Sequence, residues 1–106
     1  MLFELRIYRA RPGQRDALVK FFEEEVVPHL VSKGIVVVGS FVDEEDEGQF
    51  VWMRRFDSEE ERVRLYEAHY GSEHWKTTLS PRAGELIYWE QIQVIRLRPT
   101  PRSVFQ

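Results

Sequence analysis

The sequence predicts a single α+β domain of the ferredoxin-like type, in which a four-stranded antiparallel sheet carries helices on one face. Two features predict it. Four segments have the apolar spacing of strands, and two longer segments between them have helical spacing, which gives the order βαββαβ. A length of 106 residues also suits one core. The predicted domain therefore spans residues 1–106, with 99–106 as a C-terminal tail.

The first predicted strand covers residues 2–8, where polar and apolar side chains alternate. One face carries Phe3, Leu5 and Ile7, and the other carries Glu4, Arg6 and Tyr8. This pattern predicts a strand with one apolar face.

The first predicted helix covers Gln14–Lys33, where apolar residues repeat at helical spacing before Gly34, a suitable C-terminal cap. Pro28 lies inside it. Because proline has no backbone N–H, we expect a kink or a loosened final turn at that point.

The remaining elements follow from apolar runs and from the turn and capping residues that separate them. Strands are predicted over 35–42 and 50–56, joined by a hairpin loop that contains the acidic run Asp43–Glu47. Ser58 and the glutamates after it predict the start of a second helix. That helix is expected to break at Gly71-Ser72 and to resume as a short turn up to Pro81. The last strand is predicted over Leu86–Leu97.

Composition and charge exclude several classes of function. There are 15 basic and 18 acidic residues, and the five acids of the loop account for the whole net charge of −3. No basic run with interleaved aromatics favours nucleic-acid binding, and no apolar run is long enough to span a membrane. The N-terminus lacks the pattern of a secretory signal, so we expect a cytoplasmic protein. Without cysteine, disulfides and thiolate chemistry are excluded.

The strand pattern predicts a homodimer. A sheet with helices on one side should present polar residues on the side that meets water, and only the first strand alternates in that way. The other three predicted strands carry apolar residues on both faces. A monomer would expose a large apolar patch, so we expect a second copy to pack sheet against sheet and close a barrel. A tail that folds over this face of a monomer is the alternative.

Five parts of the chain carry a resemblance to a known family. They are ELRIYRARPG at Glu4–Gly13, PHLVSKGIVVVGSF at Pro28–Phe41, FVWMRRFDSEEER at Phe50–Arg62, Trp75, and RLRP at Arg96–Pro99. Together they resemble the NIPSNAP family across nearly the whole chain. The resemblance implies a dimeric α/β barrel built on the ferredoxin-like fold.

What the resemblance implies about activity is limited. Short members of the family mostly have no assigned activity. Related branches of the superfamily include cofactor-independent monooxygenases, haem-degrading enzymes and lactone isomerases, which commonly use the space between sheet and helices as a pocket. Three functions therefore stay open: a small-molecule-binding homodimer, a cofactor-independent monooxygenase or isomerase, and a protein-interaction module without catalysis. The sequence specifies no cofactor.

The candidate catalytic residues are Glu25 and His29. On a helical wheel both fall within the apolar stripe of the first helix, four residues apart, so they could meet in the core. A carboxylate beside an imidazole could serve as general base and orienter. A distorted helix end that lets both side chains reach solvent is the alternative. His69 and His74 are five residues apart, which is not the spacing of a helical zinc pair, so no metal site is predicted.

The candidate substrate-binding residues are aromatic or cationic. Tyr70 and Trp75 flank the predicted break in the second helix, where a gap could hold a small hydrophobic or aromatic ligand. Trp52 and Arg54 share one face of a central strand, and Tyr8 shares a face with Arg6 on the other central strand. Buried arginines need acidic partners, and Glu4 and Glu90 are the strand carboxylates available. A cavity of about 300 Å³ or more reached by His29 and Trp75 would favour ligand binding over the interaction module.

Overall fold

The computed structural model describes all 106 residues, and its sheet has the predicted ferredoxin-like topology. Four antiparallel strands lie in the order β2-β3-β1-β4. They are β1 (Leu2–Arg9), β2 (Val36–Val42), β3 (Gln49–Phe56) and β4 (Gln93–Leu97). The central pair is β1 and β3, in the register that places Glu4 opposite Arg54. The fold class predicted from the sequence is therefore confirmed.

The helices lie between the strands in two groups. The first group consists of α1 (Arg15–Phe21), a π-helical turn (Phe22–Val26) and α2 (Val27–Ser32). The second consists of α3 (Glu59–Tyr70), a π-helical turn (Trp75–Leu79), and α4 (Ser80–Leu86), with a 3₁₀ turn at Trp89–Gln91 before β4. Ser58 caps α3, as predicted, by accepting a hydrogen bond from the Glu61 backbone N–H at 3.1 Å.

Both π-helical turns stand just before a proline. Pro28 and Pro81 occupy the first turns of α2 and α4, two residues after each π-helical turn ends. Proline lacks an N–H and clashes with the carbonyl four residues earlier, and a wider turn relieves both problems. The distortion predicted at Pro28 therefore lies one turn earlier. The prediction that the second helix stops at Pro81 is wrong, because the chain stays helical to Leu86.

The last strand is shorter than predicted. Leu86 ends α4, Ile87 forms an isolated bridge with Ala10, and only Gln93–Leu97 pairs with β1. Leu86 and Ile87 are buried, and a short apolar run of this kind has the same appearance at a buried helix end as in a strand. The sequence pattern therefore could not separate the two.

The polar face of β1 points towards the helices. Glu4 and Tyr8 are buried on that side, together with Phe50, Trp52 and Arg54 of β3. The opposite side of the sheet, here called the open face, carries the alternate residues. Its apolar members are Phe3, Leu5 and Ile7 of β1, Val51 and Met53 of β3, and Ile95 and Leu97 of β4, and the polar residues Arg9, Gln49, Arg55 and Gln93 also lie on it. The tail reaches one end of the open face, where the Phe105 ring lies 6.0 Å from that of Phe3.

The acidic segment forms the predicted hairpin loop, and it is held in place by arginines. Arg9 donates two hydrogen bonds to the Asp46 carboxylate, at 2.7 and 2.6 Å. Arg15 donates to the backbone carbonyls of Asp43 and Asp46. The hydrogen bonds from Arg9 hold the pKa of Asp46 down at about 2. No helix of the chain has the length and apolar character that crossing a membrane requires.

Candidate functional site

A cluster of polar side chains lies between the sheet and α3. Its strand members come from the helix-facing side of β1 and β3, and its helix members come from successive turns of α3. They are Glu4, Arg6, Trp52, Arg54, Arg62, Tyr66, His69 and Tyr70. Because both central strands and α3 cover this layer, polar groups here need partners inside the protein.

Glu4 has a complete set of partners. Its carboxylate accepts hydrogen bonds from Arg6 Nη1 at 2.8 Å, from Arg62 Nη1 at 3.3 Å and from the Tyr66 hydroxyl. Arg62 also pairs with Glu59 at 2.8 Å on the surface. Burial raises the pKa of Tyr66, and its hydrogen bond to Glu4 raises it further, so the phenol stays protonated. Glu4 is thus fully occupied as an acceptor.

Arg54 is buried without an acidic partner. The residue is 2% exposed, and it takes part in none of the salt bridges of the chain. Its Nη1 donates to the Tyr70 hydroxyl at 3.0 Å, and its guanidinium lies 4.0 Å from the centre of the Trp52 ring. Its Nε has no hydrogen-bond partner. The Tyr70 phenol and the rings of Trp52, Tyr66 and Tyr70 compensate this charge, and no carboxylate pairs with it.

His69 is buried with neither ring nitrogen paired. The residue is 0% exposed, and both Nδ1 and Nε2 lack partners. Its ring centre lies 4.4 Å from that of Tyr70, 4.8 Å from that of Trp75 and 5.1 Å from that of His29. Burial lowers the pKa of His69 to about 3, and the charge of Arg54 adds to the effect. The imidazole is therefore neutral near pH 7, with one N–H donor and one acceptor.

The unpaired nitrogens of the cluster belong to three residues of one layer. Trp52 Nε1 is the fourth, after Arg54 Nε and the two nitrogens of His69, and these four are all the buried side-chain polar atoms without a partner. More than nine in ten buried polar groups in proteins are paired, and each unpaired one costs about 1–3 kcal/mol. Their concentration on three residues in one layer indicates a place where water or a ligand binds.

A groove on the surface of α3 leads to the same side chains. Its volume is about 500 Å³, and Arg62, Tyr66 and Tyr70 are among the residues that line it. The Tyr66 hydroxyl reaches Glu4, and the Tyr70 hydroxyl reaches Arg54. These two tyrosines therefore separate the groove from the buried cluster.

The structure does not bring Glu25 and His29 together. Glu25 is exposed, whereas His29 is half-buried and hydrogen-bonds through Nε2 to the Ser72 hydroxyl at 3.2 Å. The π-helical turn Phe22–Val26 adds a residue to the helical turn, which rotates Glu25 out of the stripe that a regular wheel assigns to it. Burial lowers the pKa of His29, and the neighbouring His74 and Lys33 contribute.

The predicted substrate-binding residues do meet in the layer between sheet and helices. Trp52 and Arg54 are stacked, Tyr70 bonds to Arg54, and Trp75 packs edge-on against Tyr70 with ring centres 5.1 Å apart. Tyr8 contacts Trp52 with ring centres 5.7 Å apart. None of the five main pockets has His29 or Trp75 in its wall, so the cavity that would have favoured ligand binding over the interaction module is not found at those residues. The case for a ligand rests instead on the unpaired buried nitrogens.

Sequence reasoning missed His69 and Tyr66 as members of the site. A usable signal was present, because both lie on the face of α3 that also carries Leu65, the side turned towards the sheet. Glu4 was expected as a partner for an arginine, and it pairs with Arg6. Glu90, the other candidate, is exposed in the 3₁₀ turn.

The fold and the site define a class of protein: a ferredoxin-like α+β domain with a polar cluster buried under its helices. The NIPSNAP family model matches residues 3–104. The chain therefore belongs to the NIPSNAP family. Among curated proteins, no sequence matches it.

Solved structures agree with this assignment. A NIPSNAP family protein from Agrobacterium tumefaciens is 25% identical, with a TM-score of 0.87 over 99% of this chain and 98% of that one. A second, of unknown function and from the same species, is 24% identical, with a TM-score of 0.89 over 100% and 94%. An antibiotic biosynthesis monooxygenase is 22% identical, with a TM-score of 0.70 over 95% and 100%. At that identity the monooxygenase shows a shared fold and no more.

Proposed function

We propose that this NIPSNAP family member is a homodimer that binds a small molecule between its sheet and α3. The main support for the binding site is the set of unpaired nitrogens on Trp52, Arg54 and His69. A site kept only for stability would have these groups paired or replaced by apolar ones, since an unpaired buried charge destabilises the fold. Polar groups that converge without partners are typical of a binding site.

The surroundings of the cluster favour a ligand with an aromatic or apolar part. Tyr66, Tyr70 and Trp75 present rings to the same layer. The Tyr70 ring contacts the other two, and Tyr70 and Trp75 also contact His69. Rings in edge-on arrangements leave faces on which a flat ligand can pack. The groove on α3 provides a path for the ligand if the side chains of Tyr66 and Tyr70 turn aside.

Nitrogen-15 NMR with a panel of aromatic fragments, both neutral and charged, tests the binding site. The three tryptophans give three indole N–H signals, which W52F, W75F and W89F variants would assign. A ligand in the proposed site should shift the signals of Trp52 and Trp75. Trp89 is exposed in the 3₁₀ turn, but its ring centre lies 6.4 Å from that of Trp75, so its signal can follow that of Trp75, and a shift of the Trp89 signal alone indicates binding outside the cluster. If only the Trp89 signal moves, or none does, the proposed site is wrong.

The open face of the sheet is the proposed dimer interface. It presents apolar side chains from three adjacent strands, and the tail covers only the end near Phe3. Ile95 and Leu97 remain substantially exposed on it. Two copies related by a two-fold axis would each cover the other's face. Sedimentation equilibrium at micromolar concentration should give twice the 12.7 kDa chain mass, and the chain mass alone would contradict the dimer.

We also propose that the protein works in the cytoplasm. A folded domain with 31% charged residues and a net charge near zero suits that compartment. Cell fractionation with an epitope-tagged chain tests the location, and recovery from a membrane or secreted fraction would contradict it.

A further inference from the structure

We infer that the ligand is a small carboxylate that also carries a hydroxyl group, with its carboxylate on Arg54 and Trp52 and its hydroxyl on His69. The inference rests on the proposed binding site between sheet and α3 and names the chemistry that the site selects.

The charge balance of the cluster calls for an anion. Glu4 is its one buried carboxylate, and Arg6 and Arg62 already share it. Arg54 is left with a full positive charge at 2% exposure and no ion pair. A buried charge of this kind is strongly unfavourable unless an opposite charge joins it. A bound anion would supply that charge.

The charge at Arg54 fits a carboxylate better than a phosphate. Arg54 Nη1 is engaged by the Tyr70 hydroxyl, and the fully buried donors without a partner are Arg54 Nε and Trp52 Nε1. The guanidinium lies 4.0 Å from the centre of the Trp52 ring, so the two residues are in contact. The N–H donors of one guanidinium match the two oxygens of a carboxylate, and its single positive charge balances the single negative charge. A phosphate carries up to two negative charges near neutral pH, and Arg54 is the one arginine of the cluster without an ion pair.

His69 supplies the preference for a hydroxyl group. A neutral imidazole has one donor and one acceptor nitrogen, and here both are buried and unpaired. A hydroxyl group can donate to the acceptor nitrogen of this ring or accept from its donor nitrogen. A second anionic group would gain little at His69, because the ring carries no charge near neutral pH.

Mandelate is a suitable probe, because it joins a carboxylate, a hydroxyl group and a phenyl ring in one small molecule. Two relatives each lack one polar feature: mandelamide has no charge, and phenylacetate has no hydroxyl group. Binding is measured by titration of the indole N–H signals of Trp52 and Trp75. Hydrogen bonds to charged groups are the stronger class, so we expect mandelamide to bind at least about tenfold more weakly than mandelate. Phenylacetate should bind about fivefold more weakly.

Two variants assign these preferences to residues. Arg54→Gln should remove the preference for mandelate over mandelamide and keep the preference for mandelate over phenylacetate. His69→Phe should remove the preference for mandelate over phenylacetate and keep the preference for mandelate over mandelamide. His74→Gln is the matched control, since His74 is exposed and should leave all three affinities unchanged. Circular dichroism melts of each variant establish that it is folded, and Arg54→Met, which also removes the charge, serves if the glutamine variant is not.

The outcomes separate this inference from the proposed function. If neutral fragments move the Trp52 signal while mandelate and phenylacetate do not, the binding site stands and the carboxylate assignment is overturned. If mandelate and mandelamide bind equally, the assignment is overturned in the same way. If no compound moves the Trp52 signal in the parent protein or the folded variants, water alone fills the cluster, and both the inference and the proposed function fail.

Discussion

Glu4 and Arg54 lie directly opposite each other in the register of β1 and β3, yet they form no ion pair. Both are 2% exposed. Opposite charges across two strands ordinarily attract, so their separation reflects stronger competitors for each. Glu4 is held by two arginines and the Tyr66 hydroxyl, whereas Arg54 turns to Tyr70 and the Trp52 ring. The register that could have neutralised Arg54 instead leaves its charge available.

This arrangement predicts different effects on stability for the two residues. Glu4→Gln leaves Arg6 and Arg62 without their shared carboxylate, and the free energy of unfolding should fall by about 3 kcal/mol. Arg54→Met removes a charge that has no ion pair and loses one hydrogen bond and three cation–π contacts, of which the one with Trp52 is the shortest. These changes offset each other, so its unfolding free energy should stay within about 1 kcal/mol of the parent.

Urea unfolding of both variants and the parent, at pH 7 and without ligand, measures the difference. The urea midpoints are compared only where the unfolding free energy falls with urea concentration at the same slope as in the parent. A changed slope would indicate a change in the unfolded state rather than in the folded one. A loss of stability in Arg54→Met as large as that in Glu4→Gln would show that Arg54 is a structural residue with a compensating partner.

The stability of the protein should fall below pH 6.5 because of His69. Its folded pKa of about 3 lies below the ordinary histidine value of 6.5, so the unfolded chain binds the proton first as the pH falls. The contribution is complete above the unfolded pKa and is lost as the pH falls towards the folded value. Between pH 6.5 and 5, the free energy of unfolding should decrease by up to about 1.4 kcal/mol per pH unit from this residue.

Urea unfolding across that pH range, in the parent and in His69→Gln, isolates the effect. Part of the dependence of the unfolding free energy on pH should remain in His69→Gln, because the pKa of His29 is also lowered. His74→Gln is the comparison: it changes the slope only through His29, whose pKa the neighbouring His74 helps to lower, so its effect should be smaller than that of His69→Gln. An unchanged slope in His69→Gln would mean that His69 is accessible to protons in the folded protein.

The sequence predicts the fold better than the site because the two depend on different ranges of interaction. The order of strands and helices follows from local apolar spacing, and Ser58 and Gly34 mark a helix start and a helix end through local chemistry. The direction in which Glu4 points depends on which side of the sheet the helices take. That choice is a property of the whole fold, and alternation within β1 alone cannot reveal it.

The π-helical turns set a second limit on sequence prediction. A wheel at a constant angle per residue places Glu25 in the core, and one widened turn is enough to place it in solvent. Pro28 signals a distortion, and the structure shows that the widened turn ends two residues before it. The same arrangement before Pro81 indicates that a proline after an apolar helical run can mark a π-helical turn rather than the end of the helix.

Gly34 should be hard to replace. Its φ of 94° lies in the left-handed region, and a Cβ there would stand 3.4 Å from Leu65 Cδ2. Other L-residues are destabilised by about 1–2 kcal/mol in that region, so Gly34→Ala should lower the free energy of unfolding by about that amount. Gly34→Asn should cost less, because asparagine adopts this conformation more readily. Thermal unfolding should give melting temperatures that decrease from the parent to Gly34→Asn to Gly34→Ala. Equal melting temperatures for the Gly34→Ala variant and the parent would contradict this prediction.

A charge in the middle of the open face should separate the proposed dimer. Ile95 lies opposite Leu5 in the sheet and is 42% exposed in the single chain, so a second copy packed on this face would bury it. Ile95→Asp would place an unpaired carboxylate in that interface, which costs several kcal/mol in a desolvated setting. Sedimentation velocity should then show a species of 12.7 kDa with a native circular dichroism spectrum. Val31→Asp, on the exposed side of α2, is the matched control and should leave the association unchanged. If Val31→Asp dissociates the dimer and Ile95→Asp does not, the copies associate through their helices, and the apolar open face needs another occupant.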